Sequence, residues 1–212
     1  MSGPLFDYIK DPEKIYRRSF ATVREEAKLD GFAELAASVV VRLIHACGMT
    51  DITADVRVSE GAVEAGRAAL EAARPIFVDA EMVGAGIIRK RLRNDNQVIC
   101  SLNDPAVPEM AAELATTRSA AAVNLWGDQV AGSIAVFGNA PTALFRLLEI
   151  ISRGGPRPAL ILGFPVGFIG AVESKEALLT HADGVPYMTL LGRRGGSAIA
   201  AAAVNAIAGE AE

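Results

Sequence analysis

Two periodicities share this chain. Over roughly its first third, apolar residues recur at helical spacing. In the stretch 10–29, Asp11 is a good N-cap, with Pro12 at the first helical position, where a missing N–H does no harm. Ile15, Phe20 and Val23 then draw a narrow apolar stripe on a charged helix expected to end before Gly31. A second helix is predicted from about Phe32 to Cys47, with Gly48 as its C-terminal stop. "ADVRVS" (54–59) alternates and reads as a short strand or extended linker. Ser59 is placed to cap a third helix, "EGAVEAGRAALEAAR", closed by Pro75.

From Pro75 onward the texture changes. "PIFVDA", "QVICSL", "GSIAVFG", "RPALILGF" and "VPYMTLLG" are short runs bounded by Gly, Pro, Asn or Asp, apolar on both faces where longest. Helical patterns lie between them: 104–127, 140–153 and 172–183, with 195–209 closing the chain. Strands alternating with helices predict an α/β fold, a three-layer α/β/α arrangement on a mainly parallel central sheet. "RGGPRP" (153–158) is the most linker-like stretch, yet short enough for an ordinary helix-to-strand turn. The expectation is a single domain over residues 1–212.

Composition narrows the classes. Apolar residues make up 51% of the chain and aromatics only 6%, which suits close-packed helices on a sheet. The net charge of −4 mixes both signs, so no basic field invites nucleic acid. The longest uninterrupted apolar run, "SAIAAAAVNAIAG", is too short for a bilayer, and no signal-peptide pattern opens the chain. A cytoplasmic protein without membrane or nucleic-acid partners is expected. Cys47 and Cys100 read as two small buried reduced thiols; no Cys/His/Asp cluster has metal-ligand spacing, and no G-x-S-x-G occurs.

One feature of the second helix carries chemistry. At about 100° per residue, Glu34, Ser38, Arg42 and His45 fall within an arc of roughly 80° on an otherwise apolar helix. Such a narrow polar line points to a cleft or subunit interface. His45 is its natural acid or base, since imidazole titrates near neutrality. Arg42, one turn away, suits a bidentate grip on a carboxylate. His181, in "LLTHADG", sits at a helix C-terminus, where it caps carbonyls or faces water.

Three loops follow strand ends, where open parallel sheets bind ligands. "DAEMVGAGI" follows the first strand, "GNAPTALF" follows "SIAVF" and opens a helix, and "GFPVGFIGAVESK" follows "ALIL". Gly138, Asn139 and Thr142 are placed to offer donors at a helix N-terminus, as an anion site or as plain turn and cap chemistry. "GAGIIR" (84–89) matches a dinucleotide fingerprint only in its first two glycines. The basic run "RKRLR" (89–93) is a solvated face or an aid in holding an acidic substrate.

Taken together, "RLIHACG", "VDAEMVGAGI", "VFGNAPTALFRLLE", "GFPVGFIGAVESKEAL" and "GRRGGSAIAAAAVNA" resemble the precorrin-8X methylmutase (precorrin isomerase) family of cobalamin biosynthesis, over essentially the whole chain. The resemblance implies a cytoplasmic homodimer with active sites at the subunit interface. It implies an isomerase that needs no cofactor or metal and moves a methyl group between adjacent carbons of ring C, turning precorrin-8X into hydrogenobyrinate. The histidine matching His45 is the family's acid/base, and Ser19 and Arg42 carry over as substrate-binding. Arg118, Asn139 and Thr142 join them on charge and location. Two other readings predict different behaviour. A nucleotide-dependent enzyme would hold phosphates on "GAGIIRKR", and a corrinoid carrier would bind the pigment without reacting it.

Overall fold

The computed structural model describes residues 5–92 and 94–209. Asp11 caps the first helix as expected, accepting from the Glu13 and Lys14 amides, and α1 runs Pro12–Glu26. The second, α2, is Glu34–Cys47, ended by Gly48 in the left-handed conformation (φ 69°) that glycine adopts without strain. Then come β1 (Val56–Val58), α3 (Ala62–Glu71), β2 (Ile76–Val78) and α4 (Glu81–Gly86). The order continues β3 (Val98–Ile99), α5 (Val107–Glu113), α6 (Arg118–Asn124), β4 (Ile134–Phe137), α7 (Pro141–Ser152) and β5 (Leu160–Gly163). α8 (Ala171–His181), β6 (Tyr187–Leu190) and α9 (Ser197–Ala208) complete the described elements.

The strands form one sheet in the order β1-β6-β5-β4-β2-β3, parallel except for β1, which runs antiparallel to β6. Alternation along each strand sorts the core into two layers. Ile76, Val78, Ile134, Val136, Leu160 and Leu162 face the layer of α2, α3 and α9, with α1 packed on α2, whereas Phe77, Ala135, Phe137 and Ile161 face α6, α7 and α8. Both faces are covered, which is why the strands read as continuous apolar runs rather than alternating ones. The three-layer α/β/α expectation is met.

Local expectations differ from the structure in four places. Ser59 does not cap α3. Gly61 (φ 71°) occupies the N-cap, and the Ser59 hydroxyl instead accepts from the Tyr187 amide, stitching β1's end to β6. The helical pattern 104–127 is not continuous: Ala115 takes positive φ (47°), and Thr117 then caps a new helix by accepting from Ala120 N. "QVICSL" forms a strand only at Val98 and Ile99, at the sheet edge, with the Gln97 carbonyl accepting from the Ile76 amide. Both cysteines are free but half-buried rather than buried.

A buried lysine anchors the loop before α9. Lys175 is fully buried, and its Nζ donates to the Arg194 carbonyl at 2.7 Å. Arg194 in turn donates to Asp51 and Asp55, each at 2.7 Å, tying this loop to the segment that follows α2. Burial lowers the Lys175 pKa to about 8, with the Asp55 charge opposing. Between that value and the unfolded 10.5, the unfolded chain binds a proton the native chain does not, so stability rises with pH. The cysteines act in the opposite sense. Burial raises Cys100 from 9.0 to about 11, which costs stability between those values. From pH 8 to 9 the lysine contributes about 1 kcal/mol and the cysteines offset part of it, so the unfolding free energy is expected to rise by roughly 0.5 kcal/mol. Urea titrations check this: Lys175→Met flattens the rise, and a flat wild-type curve contradicts it.

Candidate active site

The polar stripe of α2 meets α1. Ser19 Oγ and His45 Nδ1 are hydrogen-bonded at 3.0 Å, and the Phe20 ring stacks on the imidazole at 4.9 Å between centroids, 21° from coplanar. Arg42 Nη1 donates to Tyr16 Oη at 2.6 Å, and its guanidinium lies over the Phe20 ring at 5.3 Å. Tyr16 and Phe20 themselves pack at 4.4 Å. Tyr16, Ser19 and Phe20 are i, i+3 and i+4 on α1, so a single helix face meets both Arg42 and His45. Of the rest of the stripe, Ser38 bonds its own helix at the Leu35 carbonyl and Glu34 is exposed.

His45 is exposed on the wall of a cleft of about 470 Å³. Arg18, Ser19, Thr22, Glu26 and Thr50 line it with apolar Ile15 and Ile44. Arg42 stands behind this wall, in contact with Tyr16 and Phe20, and Arg18 is the cation on the cleft surface.

Asn139 and Thr142 sit elsewhere, at the C-terminal edge of the sheet. The chain leaves β2 toward β3 on one side and leaves β4 toward β5 on the other, so the crevice between β2 and β4 is the topological switch point. That crevice already holds a carboxyl group. Asp79, which follows β2 and is 4% exposed, accepts from the amides of Gly138 (2.9 Å), Asn139 (2.9 Å) and Ala140 (2.6 Å). Burial raises the pKa of this carboxyl and the three N–H donors oppose the rise. A cradle made of donors fits the ionised form. The anion site expected from Gly138 and Asn139 backbone is thus filled from within the chain. The turn also packs tightly: a Cβ at Gly138 would lie 2.7 Å from Val83 Cγ2 and 2.8 Å from Ser197 Cα.

What the edge presents outward is the exposed Asn139 and Thr142. Thr142 bonds Thr117 through their hydroxyls at 2.7 Å, which draws in the start of α6. There Arg118 donates to the Leu102 carbonyl (3.1 Å) and Asn103 Oδ1 (3.2 Å), at the partly exposed rim after β3. Ser19, Arg42 and His45 therefore form one group on α1 and α2, while Arg118, Asn139 and Thr142 form another around α6 and α7, whose helices cover the opposite face of the sheet.

The dinucleotide reading fails on geometry. Gly84 and Gly86 lie in the second half of α4, not in a turn ahead of a helix, and the helix opens with an acidic residue, Glu81. Of "RKRLR", Arg89 lines a second cavity of about 560 Å³ beside Glu81 and Cys100, Arg91 donates to the Asn205 carbonyl, and Arg93 lies outside the described residues. His181 is exposed at the end of α8, its Nδ1 near Thr180 Oγ1 (2.7 Å) and the Ala177 carbonyl (3.3 Å). Among the described residues there is no cluster of three or more His, Cys, Asp or Glu suited to a metal ion.

Comparison with known proteins decides the family. The family model for precorrin-8X methylmutase matches residues 14–210. The chain belongs to the precorrin-8X methylmutase family. It is an isomerase of cobalamin biosynthesis. A precorrin-8X methylmutase of Pseudomonas aeruginosa is 57% identical over 208 residues, covering 98% of this chain and all of that protein. One from Sinorhizobium is 53% identical, covering 97% and 98%. A cobalt-precorrin-8 methylmutase of Priestia megaterium is 34% identical, covering 92% and 87%. The crystal structure of a Thermus thermophilus precorrin-8X methylmutase superimposes with a TM-score of 0.82 at 42% identity, covering 92% of this chain and 95% of that one. Three features of the structure are not singled out by the sequence reading: Tyr16 as partner of Arg42, Arg18 on the cleft wall, and Asp79 in the switch-point crevice. The first two were legible in principle, from their helical spacing to Ser19 and Thr22.

Proposed function

We propose that the protein converts precorrin-8X to hydrogenobyrinate by moving a methyl group on ring C, with His45 as the general acid and base. The observation that carries this reading is the exposed imidazole of His45 on the wall of a mostly apolar cleft, held by Ser19 and Phe20. Imidazolium gives a proton to the conjugated macrocycle, which leaves the carbon framework electron-poor. The methyl migrates with its bonding pair to the adjacent carbon, and His45 recovers the proton. Atoms and charge balance without a cofactor, and no cofactor is invoked.

The substrate is a polyanion around an apolar body. Arg18 on the cleft wall holds one of its carboxylates, and Arg42 adds charge behind Tyr16 and Phe20. Arg118, Asn139 and Thr142 bind substrate from a second copy of the chain, which closes the open side of the His45 cleft in a homodimer. The large exposure of Phe168 (82%) and Ile169 (91%), in the loop after β5, favours a covered edge. The protein works in the cytoplasm; no helix among the described residues is long and apolar enough to cross a membrane. The metal-free substrate is favoured because the relatives at 57% and 53% identity are named for precorrin-8X, whereas the Priestia megaterium one, at 34%, is named for the cobalt form.

Steady-state kinetics on both substrates test the reading. Precorrin-8X is expected to turn over with the higher kcat/KM, and Arg18→Gln to raise its KM roughly 10-fold with kcat retained, the loss of one charge-assisted contact. Preference for cobalt-precorrin-8 would reverse the substrate assignment, and an unchanged KM would remove Arg18 from the site.

A further inference from the structure

The resemblance assigns Ser19 to the substrate, yet its hydroxyl lies 3.0 Å from His45 Nδ1. We propose that Ser19 is a positioning residue, which accepts a hydrogen bond from Nδ1–H and so leaves Nε2 as the nitrogen that exchanges the proton with substrate. This rests on the acid/base role of His45 proposed above.

Three observations converge on it. The first is the hydrogen bond itself, joining α1 to the last turn of α2 across 26 residues of chain. The second is the ring plane: Phe20, next to Ser19 in sequence, stacks on the imidazole within 21°, so the ring is held both by its edge and by its face. The third is place, since both Ser19 and His45 line the same cleft. With Nδ1 turned to α1, Nε2 is the nitrogen left for the substrate.

The chemistry needs this arrangement through the whole cycle. In the imidazolium, Nδ1–H donates to Ser19 Oγ and Nε2–H gives its proton to the macrocycle. Afterwards Nδ1–H still donates to Oγ, and the bare Nε2 lone pair stands where the proton must return. The ring neither flips nor changes tautomer between the two transfers. A hydroxyl suits the task because it adds no charge to a cleft that receives a polyanion, as a carboxylate in the same place would.

The test pairs a spectroscopic readout with kinetics on the full-length protein. Nitrogen-15 NMR of the neutral histidines reports which ring nitrogen carries the proton, and His181, far along the chain on α8, is the internal control. Wild type is expected to show His45 mainly as the Nδ1–H form. Ser19→Ala shifts the population toward Nε2–H and leaves His181 unchanged. In the same variant kcat falls roughly 10-fold while KM stays within about twofold, and Ser19→Thr, which keeps the hydroxyl, restores both signatures. An unchanged His45 tautomer in Ser19→Ala, or a raised KM with kcat intact, overturns the proposal and returns Ser19 to substrate binding. The tautomer measurement needs no turnover. It therefore fails or succeeds separately from the methyl-shift reading.

Discussion

Replacing Asp79 with alanine is expected to lower the unfolding free energy by about 3–5 kcal/mol. The carboxylate accepts three backbone N–H groups, from Gly138, Asn139 and Ala140, in a crevice where it is 4% exposed. Alanine leaves these donors unpaired where water has little access, and each buried unsatisfied group costs about 1–3 kcal/mol. Asn is nearly isosteric but offers one acceptor oxygen and turns an amide N–H toward the same donors, so Asp79→Asn is expected to lose about 2–3 kcal/mol. Urea-induced unfolding of the three proteins measures this. A near-neutral Asp79→Asn would mean a protonated carboxyl in the native state and would contradict the ionised cradle. If Asn139 and Thr142 bind substrate as proposed, the loss is expected to reach function as well, because the same three bonds hold the turn that carries Asn139 and leads to Thr142.

His45→Ala is expected to keep the tetrapyrrole and lose the rearrangement. General acid–base catalysis by a positioned side chain contributes about 10²–10⁴-fold, so kcat falls by that factor while binding stays within a few-fold. The separation follows from the geometry. On the proposed mechanism, contacts to a large macrocycle would be spread over the cleft wall, Arg18 and the apolar lining, whereas proton exchange would depend on one imidazole. Equilibrium titration with pigment, set beside initial rates, distinguishes the two effects. Retained turnover would take the acid/base role away from His45. A complete loss of binding would make the histidine part of the substrate's hold instead.

Part of the candidate site is legible in the sequence. The narrow polar arc on an apolar helix singled out Arg42 and His45, because a helix cannot turn such a face inward without a partner or a cleft. α1 supplies both, with Tyr16 meeting Arg42 and Ser19 and Phe20 meeting His45. The layer architecture was equally plain, since strands covered on both faces carry unbroken apolar runs, as Ile134–Phe137 and Leu160–Gly163 do.

Other features were hidden for physical reasons. The 104–127 stretch has helical composition throughout, but Ala115 in a left-handed conformation breaks it, and no composition rule marks an alanine for that role. Ser59 looked like a cap because caps are recognised by residue type, yet its partner is Tyr187, 128 positions away. Asp79 followed a strand as an ordinary loop residue. Only the parallel pairing of β2 with β4 brings it against Gly138–Ala140 and turns a presumed anion site into an occupied one. Long-range pairing decides the last two, and local pattern does not encode it.

The central claim is that this chain performs the methyl shift itself, and an absorbance spectrum followed in time after mixing wild-type protein with precorrin-8X tests it most directly. The account predicts conversion to the orange absorbance of the corrin product, at a rate that falls by orders of magnitude in His45→Ala. Pigment that binds wild type yet keeps the spectrum of precorrin-8X would contradict it and leave a carrier in place of an isomerase.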